Sequence, residues 1–214
     1  MHRRNEPLSD LFEVIENRRS IREYCSDPIP KKDIEEMIRA ATWAPSANNR
    51  QMWKFIVVTN KEIKDRMAEA VAAKIDEMAE EFGIKENVEQ RKEYGTFFNR
   101  APAVVVVLHE PYRSRWQEAA KAKGWTEEKI KRLHPEPGLQ SIGAAIQNLL
   151  LAAEAMGYGA CWMTLPVVAT YEIEELLNVK PPWELAAVVP IGKPAKIPEP
   201  KPRKPMEETL EFVE

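Results

Sequence analysis

Hydrophobic positions recur at helical spacing in two segments near the start of the chain. Apolar residues within 11–15 predict a first helix over residues 9–18, with Ser9 as a candidate N-cap. The same spacing returns in residues 34–41 and predicts a second helix that ends before Pro45, since proline interrupts a helix. Both segments are therefore expected to place one face against a core.

Other segments are apolar without helical spacing and predict strands. They are residues 55–59, 103–108 and 186–191, with a short strand at 160–163. Residues 103–108 show no polar alternation, so both faces of that strand should be covered. Helical patterns fill the chain between: charged helices at 62–81 and 87–99, short ones within 111–137, an apolar one at 139–157 and a short one at 171–177.

The order of these elements predicts an α+β layered domain that occupies residues 1–214. A doubly wound nucleotide-binding fold is not favoured, because neither GxGxxG nor GxxxxGK[ST] occurs in the chain. After the last strand, residues 194–205 are rich in proline and lysine and should run extended over a surface. Residues 210–213 are apolar enough to need a partner surface.

Composition narrows the class of protein. The 214 residues are 44% hydrophobic and 30% charged, a balance typical of a globular domain. The net charge of −3 gives no reason to expect binding to nucleic acid or to an acidic membrane. Residues 142–158 form the longest apolar stretch, but polar residues interrupt it, and no signal peptide pattern precedes the first helix. We expect a soluble, cytoplasmic protein.

Metal and nucleophile chemistry is poorly supported. Cys25 and Cys161 lie far apart and form no CxxC pair, so we expect reduced thiols and no metal site. The histidines at positions 2, 109 and 134 share no short spacing, and no GxSxG motif occurs.

A cluster of cations follows the first predicted helix. Arg18, Arg19 and Arg22 surround Ser20. Arginine presents a planar fork of donors that fits phosphate oxygens, so this segment predicts a phosphate site. The alternative is a solvated basic helix end, where positive charge favours the helix dipole.

A polar turn follows Pro45. Ser46, Asn49 and Gln51 carry hydroxyl and amide groups, which can both donate and accept hydrogen bonds along the edge of a heterocyclic ring. The alternative is a loop whose side chains satisfy their own backbone.

Two further segments could approach a ligand. Trp162, Met163 and Thr164 lie where a strand opens into a loop, a common place for a bound ring, although they could equally pack a core. Lys193 and Arg203 follow the last strand and could reach a phosphate, or could belong to a solvated cationic tail.

Taken in order, these segments resemble the nitroreductase family of FMN enzymes. Residues 17–22, Asn-Arg-Arg-Ser-Ile-Arg, look like its Arg-Arg-Ser-x-Arg phosphate motif, and residues 44–55 look like its Pro-Ser-Gly-x-Asn-x-Gln-Pro-Trp-x-Phe segment. Residues 141–153 resemble its central dimer helix, and residues 189–194 its last strand. The match spans about residues 10–213.

The resemblance implies a three-layer α/β/α sandwich around a mostly antiparallel sheet. It also implies a homodimer in which the arm at 194–214 wraps the partner subunit and exchanges a C-terminal strand. Ala47 stands where the family has glycine and Met52 where it has proline, and neither change removes a group expected to touch FMN.

The same resemblance implies the site. The cofactor-binding residues would be Arg18, Arg19, Ser20, Arg22, Pro45, Ser46, Asn49, Gln51, Trp162, Met163, Thr164 and Arg203, with Lys193 a weaker alternative to Arg203. Some of the turn residues would come from the partner chain. Thr164 would tune the flavin by offering its hydroxyl to N5, which is the one catalytic role expected.

The implied function is electron transfer from NADH or NADPH through FMN to a small aromatic acceptor, such as a nitroaromatic or a quinone, by a ping-pong mechanism. Residues 62–135 would shape the acceptor pocket, and residues 62–99 have the length of a lid. The aromatic residues of this region could stack on an aromatic substrate or could simply pack helices; they are Tyr94, Phe97, Phe98, Tyr112, Trp116 and Trp125. Three alternatives stay open: a reductive dehalogenase, a flavin-cleaving enzyme and a non-catalytic FMN-binding protein.

Overall fold

The computed structural model describes residues 11–133 and 135–214. The predicted cap at Ser9 and the histidines at positions 2 and 134 lie outside the described residues. Within them the helices are α1 (Leu11–Asn17), α2 (Lys31–Thr42), α3 (Lys61–Glu81), α4 (Val88–Thr96), α5 (Arg115–Ala122), α6 (Glu127–Leu133), α7 (Pro137–Ala155) and α8 (Thr170–Leu176). The strands are β1 (Trp53–Val58), β2 (Ala103–His109), β3 (Gly159–Ala160) and β4 (Glu184–Gly192).

The four strands form one antiparallel sheet in the order β1-β2-β4-β3. Strand β2 pairs with β1 from Trp53↔His109 onward and with β4 from Ala103↔Ile191 to His109↔Glu184. Strand β3 joins only the far end of β4, at Gly159↔Gly192. The α+β prediction with an antiparallel sheet is confirmed.

Helices cover both faces of the sheet. Val105 and Val107 of β2 pack with α2 and α7, whereas Val104 and Val106 pack with α3 and α8. Each of these side chains is fully buried, which is worth about 1.5–3 kcal/mol apiece in transfer free energy. The uniformly apolar pattern of residues 103–108 thus reflects a strand covered on both sides, as predicted.

Three local predictions were wrong. Helix α1 buries Val14, while Leu11, Phe12 and Ile15 of the predicted core stripe are exposed. Strand β1, whose apolar sequence predicts a buried strand, is only partly buried, because it is an edge strand that hydrogen-bonds to β2 alone. The strand predicted over residues 160–163 is reduced to Gly159–Ala160 and a single bridge at Met163, although Cys161 N still donates to Pro190 O and the register with β4 continues.

A lid over residues 62–99, which the length of that segment allowed, is not supported by packing. Helix α3 places Met67, Val71 and Ile75 in the core against the sheet, so this helix is part of the fold's framework. The more loosely attached element is the pair α5 and α6, here called the α5–α6 hairpin. Its stem is residues 110–114, which connect it to β2.

Past β4, the chain leaves the sheet. Residues 195–214 are exposed and contain one short 3-10 turn, Met206–Glu208. This agrees with an extended arm; the exchange of a strand with a partner stays a prediction. Within the described residues, no helix is both long and apolar enough to cross a membrane.

Candidate functional site

The segment 18–22 runs extended along the free edge of β3. Its backbone bonds there, with Ile21 N donating to Ala160 O at 3.1 Å and Ser20 bridging Ala160 in parallel. Gly159 permits this approach, because a Cβ added there would lie 2.7 Å from the Cβ of Ile21. The segment is therefore attached to the sheet at Ser20 and Ile21. Before that point Arg18 N donates to Val14 O at 3.1 Å, so the first two arginines lie at the end of α1, as the alternative held.

Arg22 Nη1 donates to Ser20 O at 3.0 Å, and the charge of Arg22 and the Ser20 side chain both act on the Cys161 thiol. Arg19 Nη1 donates to Glu16 O at 2.6 Å. The charge of Arg18 reaches Cys161, and it also acts with that of Arg19 on Glu154 of α7. The structure thus brings Ser20 and Arg22 together beside Cys161, with Arg18 in electrostatic reach of the same thiol and Arg19 bonded to the end of α1.

Burial raises the pKa of the Cys161 thiol, and the nearby Arg22, Ser20 and Arg18 offset this only in part. The thiol is therefore neutral at physiological pH. A neutral, buried thiol is a poor nucleophile, so Cys161 acts as a wall of the cluster.

The guanidinium of Arg22 is only partly satisfied by hydrogen bonds. Its guanidinium lies 5.5 Å from the Tyr94 ring centroid, and Nη2 approaches the Tyr94 hydroxyl at 3.5 Å. Burial lowers the pKa of Arg22, but Tyr94 and Cys161 outweigh it and raise the pKa above its ordinary value. Its Nε is buried without a partner. An unpaired buried donor costs about 1–3 kcal/mol, which a ligand bearing acceptor oxygens would relieve.

Past β3, side chains alternate between two sides of the chain: Cys161 and Met163 lie in the core beside α3, whereas Trp162 and Thr164 are exposed. Trp162 is 42% exposed and lies against α7, where a Cβ added to Gly143 would meet its ring at 3.3 Å. Met163 is buried in the core, and its backbone bonds to Val188. The core-packing alternative therefore holds for Met163 and not for Trp162. We call residues 18–22 with 162–164 the arginine half of the candidate site.

The turn at residues 46–51, here called the loop half, is held by its own hydrogen bonds. Ser46 Oγ accepts from Gln51 N at 3.0 Å, and Ala47 N donates to Ser141 Oγ of α7 at 3.1 Å. Ser46 thus satisfies its own backbone, as the alternative interpretation held. The side chains of Asn49 and Gln51, like Pro45, are exposed.

The two halves lie toward opposite ends of the sheet. Trp53 N donates to Gln51 O, and Trp53 is aligned through His109 with Glu184 at the start of β4. The arginine half is attached through Ala160 to Ile191. Seven residues of strand separate these positions, or about 23 Å. One chain therefore does not bring all predicted site residues around one ligand.

Just after β4 the backbone is hydrogen-bonded close to the arginine half, but the cationic side chains of this part of the chain are not held there. Cys25 N donates to Lys193 O at 2.9 Å, and Tyr24 bridges Pro194. The side chains of Lys193 and Arg203 are exposed. The structure brings neither against Arg18 or Arg22.

Two features escaped sequence reasoning. Tyr94 contacts Arg22 across 72 positions, and Tyr112 contacts Asn48 across 64. Tyr94 and Tyr112 were predicted only as members of a set of aromatics that could stack on a substrate. Contacts at such separations leave no local spacing to detect, although the paired asparagines at 48 and 49 do signal a turn that tolerates left-handed backbone.

Known proteins resemble this chain over most of its length. The model of the nitroreductase family matches residues 15–193. A protein of Archaeoglobus fulgidus, provisionally named NADH dehydrogenase/NAD(P)H nitroreductase, is 29% identical over 191 residues, 87% of each chain. A BluB-like flavoprotein from Clostridium difficile 630 is 29% identical, with a TM-score of 0.85 over 96% of this chain and 99% of that one. An oxidized iodotyrosine deiodinase bound to FMN and 3-iodo-L-tyrosine shares the fold, at 22% identity and a TM-score of 0.69 over 92% and 96% of the two chains.

Proposed function

Because the chain belongs to the nitroreductase family of oxidoreductases, we propose that it binds FMN and passes electrons from NADH or NADPH to a small aromatic acceptor. The observation that carries this proposal is the arginine half. Arg22 and Ser20 lie beside the Cys161 thiol, the charge of Arg18 reaches the same thiol, and the buried Nε of Arg22 has no partner. A phosphate monoester, with its acceptor oxygens and charge of about −1.5 to −2, fits this donor set.

Each residue then has a defined part. Arg18, Ser20 and Arg22 would bind the phosphate and ribityl chain, Trp162 and Thr164 would flank the ring, and the Thr164 hydroxyl would be available to tune N5. Arg19 stabilises the segment through the carbonyl of Glu16. Met163 contributes its backbone, because its side chain belongs to the core. Arg203, with Lys193 as the alternative, would approach the phosphate only if the arm folds back.

FMN, when bound, supplies the redox chemistry, and the protein orients donor and acceptor against it. Beside the arginine half, burial keeps the Cys161 thiol neutral, so this thiol is not available there as a base. Donor and acceptor would occupy the same face of the ring in turn, which predicts ping-pong kinetics.

A second copy of the chain would complete the site. The loop half and the arginine half lie about 23 Å apart along β4, so a ligand that contacts both must receive them from different subunits. A candidate interface is present: a groove of about 840 Å³ between α1, α2 and α7, bordered by Leu11, Trp43 and Met156. Trp43 is 80% exposed, which is costly unless a partner covers it.

One observation favours a lidded acceptor pocket, and with it the dehalogenase alternative. Between α5 and α6 lies a half-open apolar groove of about 610 Å³ lined by Trp116, Trp125, Ile130 and Leu133. Lys129 lies over the Trp125 ring at 3.9 Å. An aromatic acceptor that carries an acidic group would suit these walls.

The proposal is tested by initial-rate kinetics on the FMN-loaded protein under argon. NADH and NADPH are compared as donors, and a nitroaromatic, a quinone and 3-iodotyrosine as acceptors. We expect parallel double-reciprocal lines with one donor and at least one acceptor.

The alternatives give different results. Turnover of 3-iodotyrosine alone would identify a dehalogenase. Loss of the flavin itself under oxygen would identify a flavin-cleaving enzyme. Bound FMN that no donor reduces would identify a binding protein.

A further inference from the structure

Tyr112, on the stem of the α5–α6 hairpin, contacts the loop half at two points. Its hydroxyl accepts from Asn48 Nδ2 at 3.0 Å, and the Arg50 guanidinium lies 5.1 Å from its ring centroid. Arg50 also donates to Arg113 O at 3.4 Å and lies 3.7 Å from Glu110 Oε1. Two side chains of the loop half, Asn48 and Arg50, thus contact three residues of the stem, Glu110, Tyr112 and Arg113.

The position of Tyr112 is itself determined by α7. A Cβ added to Gly138 would lie 3.4 Å from Tyr112 N, so the stem passes closely over the first turn of that helix. The same helix supplies Ser141, which accepts from Ala47 N. Helix α7 therefore supports the loop half directly through Ser141 and indirectly through Tyr112.

The loop half needs such support because its backbone is strained. Asn48, Asn49 and Gln51 have φ values of +54°, +53° and +50°, all in the left-handed region. Asparagine tolerates this region better than other residues with a Cβ, but three such values within four positions, one of them at a glutamine, are uncommon. Strain of this kind persists only where the surroundings hold it in place. The bond from Asn48 to Tyr112 holds the first of these three residues from outside the loop.

We propose that Tyr112 is a positioning residue: its hydroxyl holds Asn48 in the left-handed conformation and thereby aims the exposed Asn49 and Gln51 at the flavin of the partner subunit. The inference rests on the proposed function for the identity of the ligand. It replaces the substrate-stacking role expected for Tyr112 from sequence. Because Tyr112 lies two residues before Ser114, the cap of α5, movement of the hairpin would also move the loop.

The first test is Tyr112→Phe, which keeps the ring under Arg50 and removes only the hydroxyl. Amide exchange of Asn49 and Arg50, whose N–H groups bond within the loop, is followed in FMN-free protein. Loss of one net hydrogen bond should speed exchange by about 3- to 10-fold and weaken FMN binding by a similar factor. Tyr171→Phe is the matched control, since Tyr171 is 83% exposed on α8.

The second test is rescue. Glycine adopts a positive φ without strain, so a loop that carries Asn48→Gly no longer needs the hydroxyl. In that background Tyr112→Phe should have no further effect on exchange. The proposal is overturned if Tyr112→Phe leaves loop exchange unchanged, if its effect persists in Asn48→Gly, or if it raises only the acceptor KM. Exchange is measured without FMN. A protein that binds no FMN would therefore refute the proposed function, while the exchange rates would still test the role of Tyr112.

Discussion

Replacing Arg22 with alanine is the perturbation that the arginine half predicts most sharply. In the cofactor-free protein the guanidinium stacks on Tyr94, worth about 0.5–1 kcal/mol, and its Nη1 donates to Ser20 O at 3.0 Å, worth about 1.5–3 kcal/mol. The buried Nε without a partner costs about 1–3 kcal/mol and offsets most of this, so the net contribution to stability is about 1 kcal/mol. In the FMN complex the same guanidinium would make a charge-assisted hydrogen bond worth about 1.5–3 kcal/mol. The substitution should therefore cost ligand affinity and spare the fold.

The expected change is about a 10- to 150-fold increase in the dissociation constant of FMN, with an unfolding free energy within about 1 kcal/mol of wild type. Quenching of flavin fluorescence measures the affinity, and urea unfolding of cofactor-free protein measures the stability. Arg22→Lys should recover part of the affinity, because it keeps the charge and loses the planar fork.

Two further variants control for charge. Arg66→Ala removes a cation from the exposed face of α3, and should not change FMN affinity. Arg19→Ala should cost less than Arg22→Ala, since its side chain bonds to the backbone of Glu16. An FMN affinity that Arg22→Ala changes by less than twofold would refute this placement of the ligand.

Other predictions concern the elements around the site. Gly159→Ala should lower the unfolding free energy by about 1–3 kcal/mol and weaken FMN binding, because the added Cβ displaces Ile21 and the attached arginine segment; chemical denaturation measures the first effect. Burial lowers the pKa of His109 below its ordinary 6.5, although the charges of Glu184, Glu136 and Glu174 oppose this shift. The neutral imidazole therefore stabilises the folded protein above pH 6.5, and this contribution should be lost as the pH falls through the folded-state pKa. The loss between pH 7 and 5 should be smaller in His109→Gln, and identical profiles would contradict the assignment. Trp43→Arg should weaken self-association by about 30-fold or more, as for a hot-spot residue worth about 2 kcal/mol, and sedimentation should then show monomers.

The sequence predicted well the elements whose burial is strong and regular. Helices α2 and α7 and strand β2 were placed to within a few residues, because their apolar spacing is set by what each packs against. Helix α1 shows the limit of this reasoning. Its apolar stripe was detected, but periodicity does not say whether the stripe meets the same chain or another surface.

The candidate site likewise has parts that the sequence predicts and parts that only the fold determines. The arginine segment and the turn after Pro45 were found as sequence motifs, because each is local. Their separation along β4, the hydrogen bond of Arg19 to the backbone of Glu16 and the burial of Met163 are consequences of tertiary packing. The contact of Tyr112 with Asn48 has the same origin, since it joins residues that only the fold brings together.

The absorbance of the FMN-loaded protein under argon shows whether this chain binds FMN and reduces it with a nicotinamide donor. The yellow absorbance should bleach when NADH or NADPH is added and should return when a nitroaromatic or quinone follows. A protein that takes up no FMN, or whose bound FMN keeps its full absorbance with both donors, would contradict the proposed function.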